Sequence, residues 1–316
     1  MPETVVVVGG GVIGLTCALE LARAGRRVTL LAADDPRETT SAVAAALWFP
    51  YAAAPADRVL QWAGVSLAAF AALADDPATG VSLRGGVVCH RDGDPDVSWA
   101  GAVAGHRAAR PDELPEGVAR GTWCTLPVVE MDLYLGWLRR RASKAGVRLR
   151  QERITSLEEV DAEADAIVVA VGLGARELLG DDTLTPVRGQ IVRVRNPGVT
   201  DWLLDDEHPD GMTYVIARTA DVVLGGTAEA GAEDVEPDPA TEAAILARAR
   251  GLVPALRDAT VVSRAVGLRP MRPSVRLERE ELGGRTVIHC YGHGGAGVTL
   301  SWGCAAEVVG LASDPV

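Results

Sequence analysis

The chain has 316 residues, 48% of them hydrophobic and 23% charged. Those are ordinary values for a globular protein long enough to bury a substantial core, and the length predicts two domains. A formal net charge of −12 and a pI near 4.9 exclude non-specific nucleic-acid binding. The five cysteines (Cys17, Cys89, Cys124, Cys290 and Cys304) are scattered and odd in number, so no disulfide framework is expected, with a single pair left open. No signal peptide precedes the first strand and no apolar run is long enough for a bilayer, so a cytoplasmic enzyme with no membrane partner is the expectation. Lysine occurs once, at Lys144; the bias to arginine, alanine, valine and glycine fits a GC-rich bacterial coding background.

The first element is read from Val5-Val6-Val7-Val8, followed by Gly9-Gly10-Gly11-Val12-Ile13-Gly14. A β-branched run of this kind suits a strand covered on both faces. The glycines fall at the G-x-G-x-x-G spacing ahead of an apolar-periodic segment, Val12 to Leu21, which predicts strand, tight turn and helix. Gly9 permits the turn, Gly11 lets a pyrophosphate approach the backbone, and Gly14 lets helix and strand pack closely. Val12 and Ile13 open a helix whose positive end faces the phosphates. The motif points to NAD or FAD, the alternative being a structural glycine turn. The helix stops near Gly25 and the next strand is Val28 to Leu31. Asp34 and Asp35 fall within a residue or two of the position whose carboxylate bonds a ribose. The absence of Arg or Lys at that strand tip speaks against a 2′-phosphate.

Thr39-Thr40-Ser41 and the small residues leading to Leu47-Trp48-Phe49-Pro50-Tyr51 allow two readings. One is a capped alanine-rich helix stopped by Pro50; the other is backbone passing close to a flat polar group. Then follow a helix over Ala63–Leu73, short strands at Val81–Leu83 and Val87–Cys89, and a polar stretch from Pro95 to Gly117. His90 and His106 have no partner at metal spacing. Met131–Ala145 is an amphipathic helix whose arginines, Arg139 to Arg141, form a solvated basic end. Strands are expected at Val147–Leu149 and Arg153–Thr155, and a buried parallel strand at Ala166–Val171. Nucleotide-fold strands thus recur after a long insertion, a pattern common in flavoproteins.

A second non-nucleotide segment begins at Pro186–Val194. Gly211–Gly226 reads as a hairpin, Trp202–Asp210 as a lid loop, Thr241–Leu252 as a helix and Val261–Val266 as a strand. The run from Arg269 to Arg276 interleaves three arginines with prolines that fix φ. At least one arginine is expected to grip a carboxylate or phosphate, with structural ion pairs as the alternative. A strand at Val287–Cys290 leads into a second glycine loop, Tyr291 to Gly297, and a helix from about Ser301. Cys290-x-x-His293 has no second pair to complete a zinc site, so no metal is expected. With no nucleophile–base pairing in view, a bound cofactor must carry the chemistry.

On these segments the sequence resembles the D-amino acid oxidase family over nearly its whole length. The carriers are Val8–Gly14, Thr39–Tyr51, Pro186–Val192, Tyr214-Val215-Ile216, Arg269–Glu280, and Tyr291–Gly297 with Trp302-Gly303-Cys304-Ala305. The resemblance implies an α/β protein in which a Rossmann-like FAD-binding domain (1–52, 130–185 and 277–316) is interleaved with a β-rich α+β substrate-binding domain (53–129 and 186–276). It implies non-covalent FAD and oxidation of a D-amino acid by molecular oxygen to a 2-oxo acid, ammonia and hydrogen peroxide. The family's carboxylate-binding arginine falls on Arg276, its tyrosine on Tyr214, and the carbonyl that accepts the substrate amine on Gly295. Flavin contacts fall on Thr39, Thr40, Ser41, Ala45, Ala46, Leu47 and Ile154, and on Gly292, Gly294, Gly295, Ala296, Gly297, Val298 and Thr299.

Phe49, Tyr51 and Trp202 to Leu204 would make an apolar pocket for neutral side chains, whereas Arg218, if strand alternation turns it inward, would favour D-aspartate. Mammalian relatives carry a second, lid tyrosine; Pro209-Asp210-Gly211-Met212 has none. A glycine- or sarcosine-type amine oxidase and a non-catalytic nucleotide-binding protein are the other readings, and a homodimer is one arrangement open to the chain.

Overall fold

The valine run forms β1 (Thr4–Val8), and all four valines are buried. Val5 and Val7 enter one hydrophobic cluster while Val6 and Val8 enter another, as the strand's period of two demands when both faces are covered. The computed structural model describes residues 3–91, 97–282 and 284–313; Pro95, at the head of the polar stretch, lies outside them. After β1 the chain forms α1 (Val12–Arg23), β2 (Arg27–Ala32), α2 (Thr40–Val43), α3 (Ala56–Leu73), β3 (Val81–His90), β4 (Arg107–Ala108), β5 (Arg120–Val129) and α4 (Met131–Lys144). It continues through β6 (Arg148–Gln151), β7 (Ala166–Val169), α5 (Ala175–Leu179), β8 (Thr185–Arg195), β9 (Trp202–Asp205), β10 (Thr213–Ala217), β11 (Asp221–Gly225), β12 (Glu229–Ala230) and α6 (Pro239–Leu252). It closes with β13 (Val261–Met271), β14 (Arg276–Leu282), β15 (Arg285–Tyr291) and α7 (Gly297–Leu311).

Two sheets result. A six-stranded sheet has the order β14-β15-β7-β1-β2-β6, parallel except at the β14–β15 hairpin. Helices α1, α7, α3 and α4 pack over the side that Val5 and Val7 face. A nine-stranded sheet has the order β12-β8-β11-β10-β9-β3-β5-β4, with β13 added against β8. One of its faces is closed by α6, through Ile245, Ala249 and Leu252 against Val192, Val194 and Leu224. Its other face contributes Ile191, Ile216 and Val223 to the cluster that also holds α1 and α7. One continuous core therefore bridges the sheets, and each strand segment expected for a Rossmann-like half is found in the six-stranded one except Arg153–Thr155, which lies outside the strands.

Three expectations are corrected. The helix after Thr39 ends at Val43, because Ala46 takes a positive φ of 57° and Leu47 bridges Val128, so Pro50 stops nothing. Val81–His90 is one continuous strand, since its glycines at 85 and 86 lie where the rings of Trp123 and Trp202 press on it. Trp202–Asp205 is an interior strand, not the start of a lid: all four residues are buried between β3 and β10, and Trp202 Nε1 donates to the Arg84 carbonyl at 2.8 Å. Both faces of β9 being covered, it shows no alternation to read.

Candidate active site

The glycine turn is a place where three backbones meet. Gly9 has φ +121° and donates its N–H to the Leu31 carbonyl at 2.9 Å. A Cβ on Gly9 would run into the Ala170 carbonyl, and one on Gly14 into the Gly9 carbonyl. Strands β1 and β7 and helix α1 can converge only because both side chains are absent. Gly11 caps α1 without any side-chain bond, and Ser41 Oγ accepts from Val12 N–H at 3.1 Å. The first turn of α1 thus presents backbone amides and the positive helix end, an arrangement suited to an anion.

A cavity of about 610 Å³ opens at this turn and runs on to the inner face of the nine-stranded sheet. Of the residues expected to hold a cofactor, Gly9, Gly11, Val12, Ile13, Asp34, Thr39, Thr40, Ser41, Ala45, Ala46, Leu47 and Ile154 line it. Gly14 sits behind the turn and is no lining residue. Asp35 is turned away as well: its carboxylate accepts from Arg37 N–H at 3.0 Å and pairs with Arg37 and Arg139. The hydrogen bonds from Arg37 hold that carboxyl down at about 2.

The second glycine loop delivers Gly294, Gly295, Gly297, Val298 and Thr299 to the same cavity. Gly292 packs instead on the Arg272 side chain, and Ala296 is buried. Helix α7 also begins with no side-chain cap, and Thr299 Oγ1 ties the loop to Phe49 by donating to its carbonyl and accepting from its N–H. Two uncapped helix starts, a narrow glycine channel and the Asp34 carboxylate fit a dinucleotide with a diphosphate and an electron-rich ring.

At the far side, four residues meet. Arg269, near the end of β13, donates to the Thr227 carbonyl at 2.8 Å, and its guanidinium lies across Gly189 of β8, where any Cβ would overlap it. Tyr214 stands opposite Gly225 in the β10–β11 register, and a Cβ there would enter its ring. The Tyr51 ring crosses Gly295 in the same way. The Gly295 carbonyl accepts no hydrogen bond among the described residues. Burial pushes the Tyr214 hydroxyl up, while the charge of Arg269 and a hydrogen bond from it pull the other way.

Residues 4–311 match the family described as FAD dependent oxidoreductase. The chain belongs to that family. A D-amino-acid oxidase of Rubrobacter xylanophilus is 50% identical over 309 residues, 97% of this chain and 95% of that one. A human D-aspartate oxidase is 36% identical over 328 residues, covering 99% and 95%. Among solved structures, a glycine oxidase from Bacillus cereus superposes with a TM-score of 0.82 at 22% identity, over 98% of this chain and 94% of that one. It shares the fold.

Not every residue expected at the site of the oxidoreductase lies at the cavity. Arg276 is not at the cavity: it lies on β14, in the other sheet from Arg269, and donates to Glu278 (2.7 Å), Glu280 (2.8 Å) and the Tyr291 hydroxyl (2.9 Å). The segment Arg272–Val275 crosses between the sheets, and of the motif's first and last arginines only Arg269 lines the cavity. Arg272 pairs with Asp181. Arg218 is buried and held by Asp221 at 2.6 Å, away from the cavity, and Trp202 and Leu203 are core residues while Leu204 lines the wall. Residues not foreseen are Glu38, Arg153, Gly267, Asp206 and Met212. Nothing local marks these: Gly267 lies on β13, and the other four lie outside the strands.

Folding also supplies a partner that the linear spacing lacked: Cys304 comes to Cys290 and His293, with ligand atoms within 4.8 Å of one another. All five cysteines are free and buried. Burial pushes His293 down to about 4, so it is neutral at ordinary pH. No helix among the described residues is long and apolar enough to cross a membrane.

Asp181 anchors the Arg272–Tyr291–Arg276 network. Burial raises its carboxyl, but hydrogen bonds from Thr183, Tyr291 and Arg272 outweigh that and hold it at about 2. A carboxyl depressed on folding stabilises above its unfolded pKa near 4 and loses that stabilisation as the pH falls towards 2. After allowance for solvent screening this is worth about 1–2 kcal/mol. Asp181→Asn is therefore expected to lower the Tm at pH 7 and to flatten the acid limb between pH 4 and 2 in thermal melts. An unchanged acid limb would show that another carboxyl governs it.

Proposed function

We propose that the protein oxidises D-amino acids with FAD and molecular oxygen, giving a 2-oxo acid, ammonia and hydrogen peroxide. The observation that carries this reading is the meeting of Arg269, Tyr214 and the unpaired Gly295 carbonyl in the cavity that starts at the glycine turn. The names of the relatives support it. On this reading the segments 1–52, 130–185 and 277–316 hold FAD and the remainder binds substrate in a cytoplasmic enzyme. Bound there, FAD would accept the hydride equivalent from the substrate Cα and pass electrons to oxygen.

The chain's part is to bind and orient. The first turn of α1 with Ser41 would hold the diphosphate, and Asp34 a ribose. Thr39–Leu47 and the first turn of α7 would hold the ring. Arg269 grips the substrate carboxylate with two parallel N–H donors, and the Tyr214 hydroxyl donates a further bond. The Gly295 carbonyl accepts from the amine. With carboxylate and amine both fixed, only one enantiomer presents its Cα–H in a given direction, and positioning of this kind supplies about 7–11 kcal/mol of a barrier. No side chain need take a proton if the amine arrives neutral. Phe49, Leu204, Met212 and Ile216 give the cavity apolar walls suited to aliphatic side chains. With Arg218 bound to Asp221, the extra cation that a D-aspartate site would want is not at the cavity.

The test is peroxide release by the FAD-loaded protein on a panel of D- and L-amino acids with glycine. Turnover of D-alanine, with L-alanine inert and glycine slower, is expected. Peroxide from glycine alone would reassign the reaction to an amine oxidase of that kind, and peroxide from none would leave a nucleotide-binding protein.

A further inference from the structure

We propose that Asp206 is a specificity residue, forming a subsite for a cationic group at the end of the substrate side chain, so that basic D-amino acids are preferred over their uncharged isosteres. The proposal rests on the oxidase reading above. Strand β9 ends at Asp205 and the turn after it begins with Asp206 and Glu207, three consecutive carboxylates of which two are occupied. Asp205 is fully buried and bound by Arg91 at 2.6 Å, and Glu207 accepts from the Arg91 N–H at 2.7 Å. Asp206, between them in the turn, lines the cavity. Its carboxylate makes no hydrogen bond or ion pair among the described residues, unlike those of its two neighbours.

Asp206 is also in electrostatic reach of the substrate end. The hydroxyls of both Tyr51 and Tyr214 feel its charge, and both feel Arg269. A cation for the substrate carboxylate and an anion without a partner thus flank the same two rings. The walls between, with Leu204 and Met212, suit the aliphatic stem of an arginine or lysine side chain. Beyond Asp206 the cavity continues into a recess of about 430 Å³ bounded by Tyr51, Met212 and Arg248, which gives a long side chain room. The Arg248 guanidinium is engaged with the carbonyls of Asp210, Met212 and Gly226 and the Thr213 hydroxyl, and does not bond Asp206. Asp206 keeps access to solvent at the cavity mouth; partial loss of its hydration, with the charges of Asp205 and Glu207, pushes its carboxyl up, a cost that a bound guanidinium or ammonium would relieve.

The experiment compares D-arginine with D-citrulline, which has the same shape without the charge, in the FAD-loaded protein and in Asp206→Asn and Asp206→Glu. Binding of 5-guanidinopentanoate and 5-ureidopentanoate, which carry no amine to oxidise, is measured in parallel by calorimetry, with flavin absorbance reporting loading. The wild-type protein is expected to favour the cation by about two- to fivefold in both kcat/KM and Kd, as for a charge pair open to solvent. Asp206→Glu should keep the preference and Asp206→Asn should bring the ratio to about one. A wild-type ratio near one, or a preference that survives in Asp206→Asn, overturns the proposal. Oxidation of D-alanine without any preference removes Asp206 alone. A binding preference that depends on Asp206, in a protein that oxidises no amino acid, supports the subsite and removes the oxidase reading.

Discussion

Arg269→Ala is expected to lower kcat/KM for D-alanine by about 10²–10³-fold, mainly through KM, while the protein stays yellow. The magnitude follows from leaving a desolvated substrate carboxylate without its charged partner, about 2–5 kcal/mol. Arg269 sits over Gly189 with one N–H committed to the Thr227 carbonyl, so the rest of its donor fork is held in place before substrate arrives. Arg269→Lys should recover little, because an ammonium cannot supply two parallel donors. The informative comparison is Arg276→Ala, seven positions along the same motif. That change removes exposed ion pairs with Glu278 and Glu280. It should leave kcat/KM within about twofold and lower the Tm by about 1–3 °C. Steady-state kinetics and melts on both variants decide the matter, and a larger KM effect from Arg276→Ala would exchange the two assignments.

Gly14→Ala should be the most damaging single methyl group in the chain. The added carbon would lie inside the Gly9 carbonyl, which is backbone and cannot swing aside. Relief requires α1 to move off β1, opening the core beneath Val5 and Val7 and dispersing the amides at the helix start. Overpacking commonly costs about 1–3 kcal/mol and more where nothing can yield. A natural domain has only about 5–15 kcal/mol of stability. The expected result is a protein recovered without flavin, with FAD affinity down by about 10²-fold or more and a lower apo Tm. Retention of flavin at wild-type affinity would show that helix and strand are less rigidly coupled than their packing indicates.

Much of this protein was legible from local pattern. The valine run, the glycine spacing and the apolar helix behind it determine one another, because each glycine answers a close approach that the strand and helix impose. Tyr214 and Gly295, to which the family resemblance pointed, both line the cavity. The arginine motif failed at the level of topology. Arg269 and Arg276 look equivalent in a proline-stiffened run, but the sheet to which each belongs depends on the pairing of β13 with β8 and β14 with β15, which no local window contains. The same holds for β9. Its four residues look like loop because a buried strand with both faces covered has no alternation and carries an aspartate whose partner, Arg91, is more than a hundred positions away. Asp206 was invisible for the reason that it matters: it is defined by lacking the partner that its neighbours have.

The buried thiols have a bearing on the enzyme's working life. A protein proposed to release hydrogen peroxide exposes its own side chains to an oxidant at every turnover, and the species that peroxide attacks is the thiolate. All five cysteines lie in the interior. Burial pushes Cys89 and Cys124 up to about 12, and Cys17 is raised by its hydrogen bond to Cys290 as well as by burial. For Cys290, the one that borders the cavity, the hydrogen bond with Cys17 lowers the thiol, but the contact with Cys304 and burial outweigh it and raise it too. The thiols are thereby kept in their least oxidisable protonation state, and an added surface cysteine would be oxidised before a native one.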